Sequence, residues 1–173
     1  MTALILRAPT PADIPALSAL GIAAFVHKFG DLYRPEDLLP FLAQTHSEAA
    51  LRRELANPAN RYQIATRAGL ILGWCKLTLA CGFPQHARTP AAIELKQLYT
   101  APNASRGGIG SALMDWALSE SAAHKASEIQ LSVWSNNEAA QRFYARYGFT
   151  KVADVHFRVG EQLDHEFLFA RMV

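Results

Sequence analysis

The stretch Ser105-Arg106-Gly107-Gly108-Ile109-Gly110-Ser111 lies between two segments of different hydrophobic period. Before it, Ile93–Thr100 reads as a β-strand whose apolar positions are Ile93, Leu95 and then either Leu98 or Tyr99, so the phase slips near Lys96-Gln97 as at a β-bulge. After it, Ile109, Ala112, Leu113, Trp116 and Ala117 share one face of a helix. A glycine-rich turn between a strand and a helix has two readings. It makes a tight connection, or it brings the main chain close to an anion, because the first amides of a helix are unpaired and its dipole favours negative charge. Glycine content alone leaves both open. The stretch is not a P-loop, since no Gly-Lys-Ser/Thr follows a four-residue gap. Nor does it match the dinucleotide fingerprint, because Gly108-x-Gly110 lacks the third glycine and the chain's first strand is not adjacent.

The flanking elements follow from turn and cap signals. Downstream, Ile129–Trp134 reads as a strand. Asn136-Asn137 then caps a helix whose Ala140, Phe143, Tyr144 and Tyr147 share a face, and Gly148 ends it. Two strands, Phe149–Val159 and Asp164–Val173, turn around Gly160. Upstream, residues 4–8 form a short strand, and Thr10-Pro11-Ala12-Asp13 starts a helix that runs to about His27 and buries Ile14, Leu17 and Phe25. Pro35-Glu36-Asp37 opens a second helix with Leu38, Leu39, Phe41 and Leu42, and Ser47 a third with Leu51 and Leu55, closed by Asn57-Pro58. Tyr62–Thr66 and Leu70–Leu79 make a hairpin through Arg67-Ala68-Gly69, and residues 81–90 are a loop. Strand, helices, three strands, helix, strand, helix and two strands describe an α/β chain with a mixed sheet of about seven strands, one domain over residues 1–173.

Composition narrows the function. Half of the 173 residues are hydrophobic and 18% are charged, an ordinary globular balance. Lys and Arg number 17 against 15 Asp and Glu, too even for a protein that neutralises a nucleic-acid backbone, so no nucleic-acid partner is expected. No apolar run is expected to reach a membrane span, and Leu4-Ile5-Leu6 is too short for a signal-peptide core. A cytoplasmic protein without a membrane partner is the expectation. Cys75 and Cys81 make no paired metal spacing, and His165-Glu166 lacks the second histidine of a zinc-binding helix, so no metal is expected. Trp74, Trp116 and Trp134 fall on core faces of their elements.

Taken alone, Asn136–Phe149 is a capped amphipathic helix with Tyr144 in the core. Taken with the glycine turn, it says more. A strand, a Gly-x-Gly helix start, another strand, then Asn-x-x-Ala-x-x-x-Tyr and Tyr-Gly-Phe resembles the GNAT superfamily of acetyl-CoA-dependent N-acetyltransferases. The motifs match from about Ile93 to Phe149, and the order of the other elements fits as well. The ending, His156-Phe157-Arg158-Val159-Gly160 followed by Asp164, is similar to the bacterial spermidine/spermine branch. Ser105 is a departure, since the family usually carries Gln or Arg there, and Arg106 beside it bears the charge.

The resemblance implies a twisted sheet that splays between its fourth and fifth strands, with acetyl-CoA in the gap. Pantetheine would pair with the backbone of Leu98, Tyr99 and Thr100, as an added strand does at a free edge. The pyrophosphate would sit on amides of Arg106, Gly107, Gly108, Ile109, Gly110 and Ser111. Asn137 would touch the pantetheine arm, and Tyr144 would face the thioester sulfur. The chemistry asks for these parts: an attacking amine must lose a proton and the departing thiolate must gain one. Tyrosine ionises near 10 and a thiol near 8.5, so a neutral Tyr144 can hydrogen-bond the forming thiolate and give up its proton, slightly uphill. Glu94, on the strand beside the thioester, is the family-like base; a solvent-facing strand residue and a water relay are the other readings. Phe25, His27, Phe29 and Tyr33 fall where family members shape the acceptor pocket, and packing is their alternative role. The rival to an enzyme is a non-catalytic acetyl-CoA-binding module.

The similar ending points to polyamines, whose charges call for several carboxylates. Residues 28–60 hold Asp31, Glu36, Asp37, Glu48 and Glu54 against Lys28, Arg34, Arg52 and Arg53, a near balance. Asp154, Asp164 and Glu166 would add negative charge if their side chains faced the pocket. The expected acceptor is a small primary amine of at most modest positive charge, ahead of a polyamine and of a protein amine. Apolar helix faces and a terminal strand are compatible with a monomer or a homodimer.

Overall fold

The computed structural model describes residues 2–104 and 107–173. In chain order its elements are β1 (Ile5–Arg7), α1 (Ile14–Phe29), α2 (Pro35–His46), α3 (Glu48–Ala56), β2 (Asn60–Arg67), β3 (Leu70–Thr78), β4 (Ala92–Thr100), α4 (Ile109–Ala123), β5 (Glu128–Trp134), α5 (Glu138–Arg146), β6 (Thr150–Val159) and β7 (Gln162–Met172). The strands form one sheet in the order β1-β2-β3-β4-β5-β7-β6. Neighbours run antiparallel except β4 and β5, which are parallel and joined through α4.

Local chemistry accounts for most boundaries. Asp13 takes a bidentate contact from Arg7 at 2.8 Å and accepts from the Thr10 amide at 2.7 Å, tying β1 to the turn that opens α1. Ser47 accepts from the Ala50 amide and starts α3. Ala68 and Gly69 both have positive φ, the geometry of a two-residue hairpin between β2 and β3.

The sheet opens in the middle. β4 and β5 pair through Ala92↔Glu128, Ile93↔Ile129 and Glu94↔Gln130, and no further. Beyond that point β4 follows β3 as far as Gly73↔Thr100, while β5 follows β7 as far as Trp134↔Glu166. The expected slip is a bulge: Lys76 faces Gln97 and Leu77 faces Leu95, so Lys96 has no residue opposite it. The extra residue bends β4 where it leaves β5.

Helices cover both faces of the sheet. Ile109, Leu113, Met114 and Ala117 of α4 are fully buried against Leu77, Ile93, Ile129 and Leu131, and each of the larger side chains contributes roughly 1.5–3 kcal/mol. Ile14 and Leu17 of α1 and Leu51 of α3 pack with Ile64 and Trp74 on the other face. Gly21 lies so close to Trp74 and His46 that any side chain there would overlap them, which sets how tightly α1 approaches the sheet. The helical run Pro11–Leu32 is, by length and composition, long and apolar enough to cross a membrane, which corrects the expectation that no such run exists. In the fold, α1 buries Ile14, Leu17, Gly21 and Phe25 within the protein and leaves Ile22 and Val26 exposed.

Candidate active site

The parting of β4 and β5 leaves a cleft of about 690 Å3. Leu98, Tyr99 and Thr100 line it from β4, along an edge with no β-strand partner on the β5 side. At one end α4 begins. Gly108 caps it with φ of +72°, and among the described residues nothing lies within 4 Å of where its side chain would point. Gly110 and Ser111 line the cleft beside it. The Ile109 side chain turns into the core, so only its main chain is available there, and Gly107 lies outside the lining. The expectations for Ser105 and Arg106 lie outside the described residues.

Asn137 and Tyr144 enter from α5. Asn137 Oδ1 accepts from the Ala140 amide at 3.3 Å and caps the helix, which leaves Nδ2 for other partners. Tyr144 is half-buried, with the rings of Phe143 and Phe149 edge-on to it at 5.5 and 6.1 Å. Burial raises its pKa, and Cys75, Tyr99 and Glu166 add to the shift, so the hydroxyl holds its proton throughout the neutral range.

The other end is aromatic and acidic. Phe25 stacks on Tyr33 at 6.0 Å and touches Phe29 at 5.0 Å, and Phe29 meets the edge of Trp134 at 5.9 Å. Phe157 completes this wall, with His27 and Lys28 also lining the cleft. The expected pocket residues Phe25, His27, Phe29 and Tyr33 are therefore brought together. Trp134, expected on a core face, lines the cleft instead, because β5 has no strand on its β4 side at that height.

The carboxylates in the lining are Glu94, Asp164 and Glu166. Lys96 Nζ donates to Glu94 Oε1 at 3.1 Å, and Oε2 packs so tightly on Gly82 that a side chain there would overlap it. Tyr33 donates its hydroxyl to Asp164 Oδ2, and Gln162 Nε2 donates to Oδ1 at 2.7 Å. Glu166 has its pKa raised by burial and by Asp164 and Glu94, against the opposing pull of the Ser132 hydroxyl and of Lys96. Sequence reasoning named Asp164 and Glu166 without a direction. Their spacing of two puts them on one face of a strand. His165 between them pairs instead with Asp154 at 2.7 Å, so Asp154 is outside the cleft lining. The charges counted over residues 28–60 are spent elsewhere: Asp37 binds Arg34, Glu54 binds Lys76, and of that stretch's charged residues Lys28 alone lines the cleft. A second hollow of about 600 Å3 is lined by Arg88, Arg146 and Arg171: Arg171 donates to the Tyr147 carbonyl at 2.7 Å, Arg88 pairs with Glu128 at 3.5 Å, and Arg146 lies over the Phe143 ring at 5.6 Å.

The same fold recurs in known proteins. A PaiA N-acetyltransferase of Thermoplasma acidophilum, solved in complex with coenzyme A, superposes with a TM-score of 0.80 over 99% of both chains at 18% identity. A ribosomal-protein-S18-alanine N-acetyltransferase of Escherichia coli superposes with a TM-score of 0.72 over 99% of this chain and 94% of its own, at 14% identity. In sequence, an uncharacterised N-acetyltransferase from the pepI 3' region of Lactobacillus delbrueckii subsp. lactis is 28% identical over 90% of each chain. A family model also matches residues 26–149, which include the glycine turn, Asn137 and Tyr144 and end at the Tyr-Gly-Phe that closes α5. The chain belongs to the acetyltransferase (GNAT) family.

Proposed function

We propose that residues 1–173 form one N-acetyltransferase domain that moves an acetyl group from acetyl-CoA directly to the primary amine of a small molecule. The observation that carries this reading is the cleft itself, with a free strand edge and a helix start at one end, Tyr144 between, and an aromatic, acidic pocket at the other. These residues fit acetyl-CoA. The backbone of Leu98, Tyr99 and Thr100 and Asn137 Nδ2 would hold the pantetheine arm, and the amides of Arg106 to Ser111 the pyrophosphate. Bound acetyl-CoA supplies an activated acyl group on sulfur. Tyr144 holds a proton at its hydroxyl for that sulfur, and one of the cleft carboxylates takes the proton of the amine, a role for which strand position in the sequence alone singles out Glu94.

The pocket suggests the acceptor. The lining sets Glu94, Asp164 and Glu166 against Lys28, Lys96 and Arg146, a balance that suits an amine of one positive charge rather than a polycation. Phe25, Phe29 and Phe157 offer apolar area and ring faces to the body of such a molecule. A small primary amine with one positive charge and an apolar body fits both features. The test is thiol release from acetyl-CoA with a panel of amines at low and high salt. We expect a singly charged amine to lead in kcat/KM. A spermidine lead that shrinks with salt would make the acceptor a polyamine, and acetyl-CoA binding without thiol release for any amine would make the protein a non-catalytic module.

A further inference from the structure

We propose that Glu166, on β7, is the base that takes the acceptor's proton in this chain, while Glu94 serves as the fixed counter-charge of Lys96. The inference rests on the acetyl-transfer reading above and asks which carboxylate in the cleft is free to act.

Each of the other carboxylates is committed. Glu94 is 4% exposed, with one oxygen on Lys96 and the other against Gly82. Asp164 has a hydroxyl on one oxygen and an amide on the other. A carboxylate already accepting strong hydrogen bonds is a weak base toward a new donor. Glu166 is held, among the described residues, by neither a cation nor a tyrosine within bonding distance; its close polar company is the hydroxyl of Ser132. It stands at the last β5–β7 pair, opposite Trp134, where the acceptor pocket meets the rest of the cleft.

The electrostatics agree. The groups that face Glu166 are Asp164 on its own strand, Glu94, Lys96 and Tyr99 on β4, Ser132 on β5, Tyr144 on α5 and Tyr33 between α1 and α2. Burial first, with Asp164 and Glu94, outweighs the pull of Ser132 and Lys96 and raises its affinity for a proton, which brings a carboxylate closer to the operating pH of a base. Its charge also helps to hold the proton on Tyr144. Protonating Glu166 removes that restraint, so taking a proton at one end eases giving one at the other.

The proton count closes. An ammonium acceptor loses two protons in becoming an amide. The first goes to Glu166, which keeps it through the transfer and releases it to solvent afterwards, freeing the nitrogen lone pair to form the C–N bond. As the C–S bond breaks, sulfur keeps the electron pair and takes the Tyr144 proton. The second nitrogen proton returns to Tyr144.

The experiment compares kcat/KM against pH for wild type, Glu166→Gln and Glu94→Gln with the best amine, and acetyl-CoA affinity by calorimetry. Glu166→Gln should lose about 10²–10³-fold in kcat/KM with acetyl-CoA affinity nearly unchanged. It should also lose the acid-side inflection that wild type shows beyond the amine's own ionisation. Glu94→Gln should keep that inflection and lose less than about tenfold. Should Glu166→Gln fail to fold, Glu166→Asp retains a carboxylate and should keep the inflection while lowering kcat more than it raises KM. The assignment is overturned if Glu166→Gln keeps the inflection, if Glu166→Asp abolishes it, or if Glu94→Gln shows the larger loss. An inactive wild type would overturn the acetyl-transfer reading as well, whereas an active wild type with an unimpaired Glu166→Gln overturns only the assignment.

Discussion

Tyr144 has its hydroxyl among groups that all oppose its ionisation: burial first, then Cys75, Tyr99 and Glu166. A phenol in that setting stays protonated and donates a hydrogen bond to a forming thiolate, while its raised affinity makes full proton transfer more uphill than for a free tyrosine. Tyr144→Phe keeps the ring and its packing on Phe143 and Phe149, so the fold should stand while kcat falls by roughly 10²–10⁴-fold and KM for acetyl-CoA changes little. Steady-state kinetics with an unchanged kcat would return Tyr144 to the core. Single residues differ in how far their neighbourhood is local. Tyr144 is readable because its helix, cap and following Gly148 lie within a dozen positions. Glu166 is not, because its burial and most of the groups that set its affinity for a proton, Glu94 and Lys96 on β4 and Ser132 on β5, depend on strands distant in sequence.

At the level of elements, the start of α4 is the part most open to test. Gly108 takes a left-handed conformation with no described protein atom within 4 Å of where its side chain would point, so a side chain there meets backbone strain and, on the proposed reading, the pyrophosphate. Aspartate tolerates positive φ better than most residues, and Gly108→Asp should remain folded. Its carboxylate would stand where the pyrophosphate is to be held, and a like-charge contact costs several kcal/mol, so acetyl-CoA affinity should fall by on the order of 10²-fold or more. Calorimetric titration giving wild-type affinity in a folded Gly108→Asp would remove this turn from the site. The bulge at Lys96 shows what an element does and does not disclose. The broken alternation of Ile93, Leu95 and Leu98 marks the place, but the consequence, a strand that leaves its neighbour after Glu94, depends on β5 and on α4 beneath it.

For the whole molecule, acid sensitivity follows from how α1 and α2 close on the sheet. His46 is fully buried among Phe25, Phe41, Trp74 and Tyr99, and neither ring nitrogen has a hydrogen-bond partner among the described residues. Burial alone pushes its pKa from 6.5 down to about 4. Between those values the unfolded chain binds a proton that the folded chain refuses, so the full stability present above pH 6.5 is lost as pH falls toward about 4. The loss from this group should reach about 3 kcal/mol. Urea unfolding at neutral pH and near pH 4 should show it in wild type and not in His46→Leu, and an equal drop in both would acquit the histidine. The sequence by itself determined what is local: helix and strand periods, the caps at Ser47 and Asn137, the glycine turn before α4, and the family motifs that place Tyr144. Only the tertiary structure decided which side of the sheet Asp164, Glu166 and Trp134 face, which carboxylates are already taken, and that His46 is walled in by aromatic rings. Periodicity and caps depend on neighbours a few positions away. Side-chain company in an open sheet depends on strands far apart in sequence and on the register between them, and a one-residue shift in that register would send every one of those side chains to the other face.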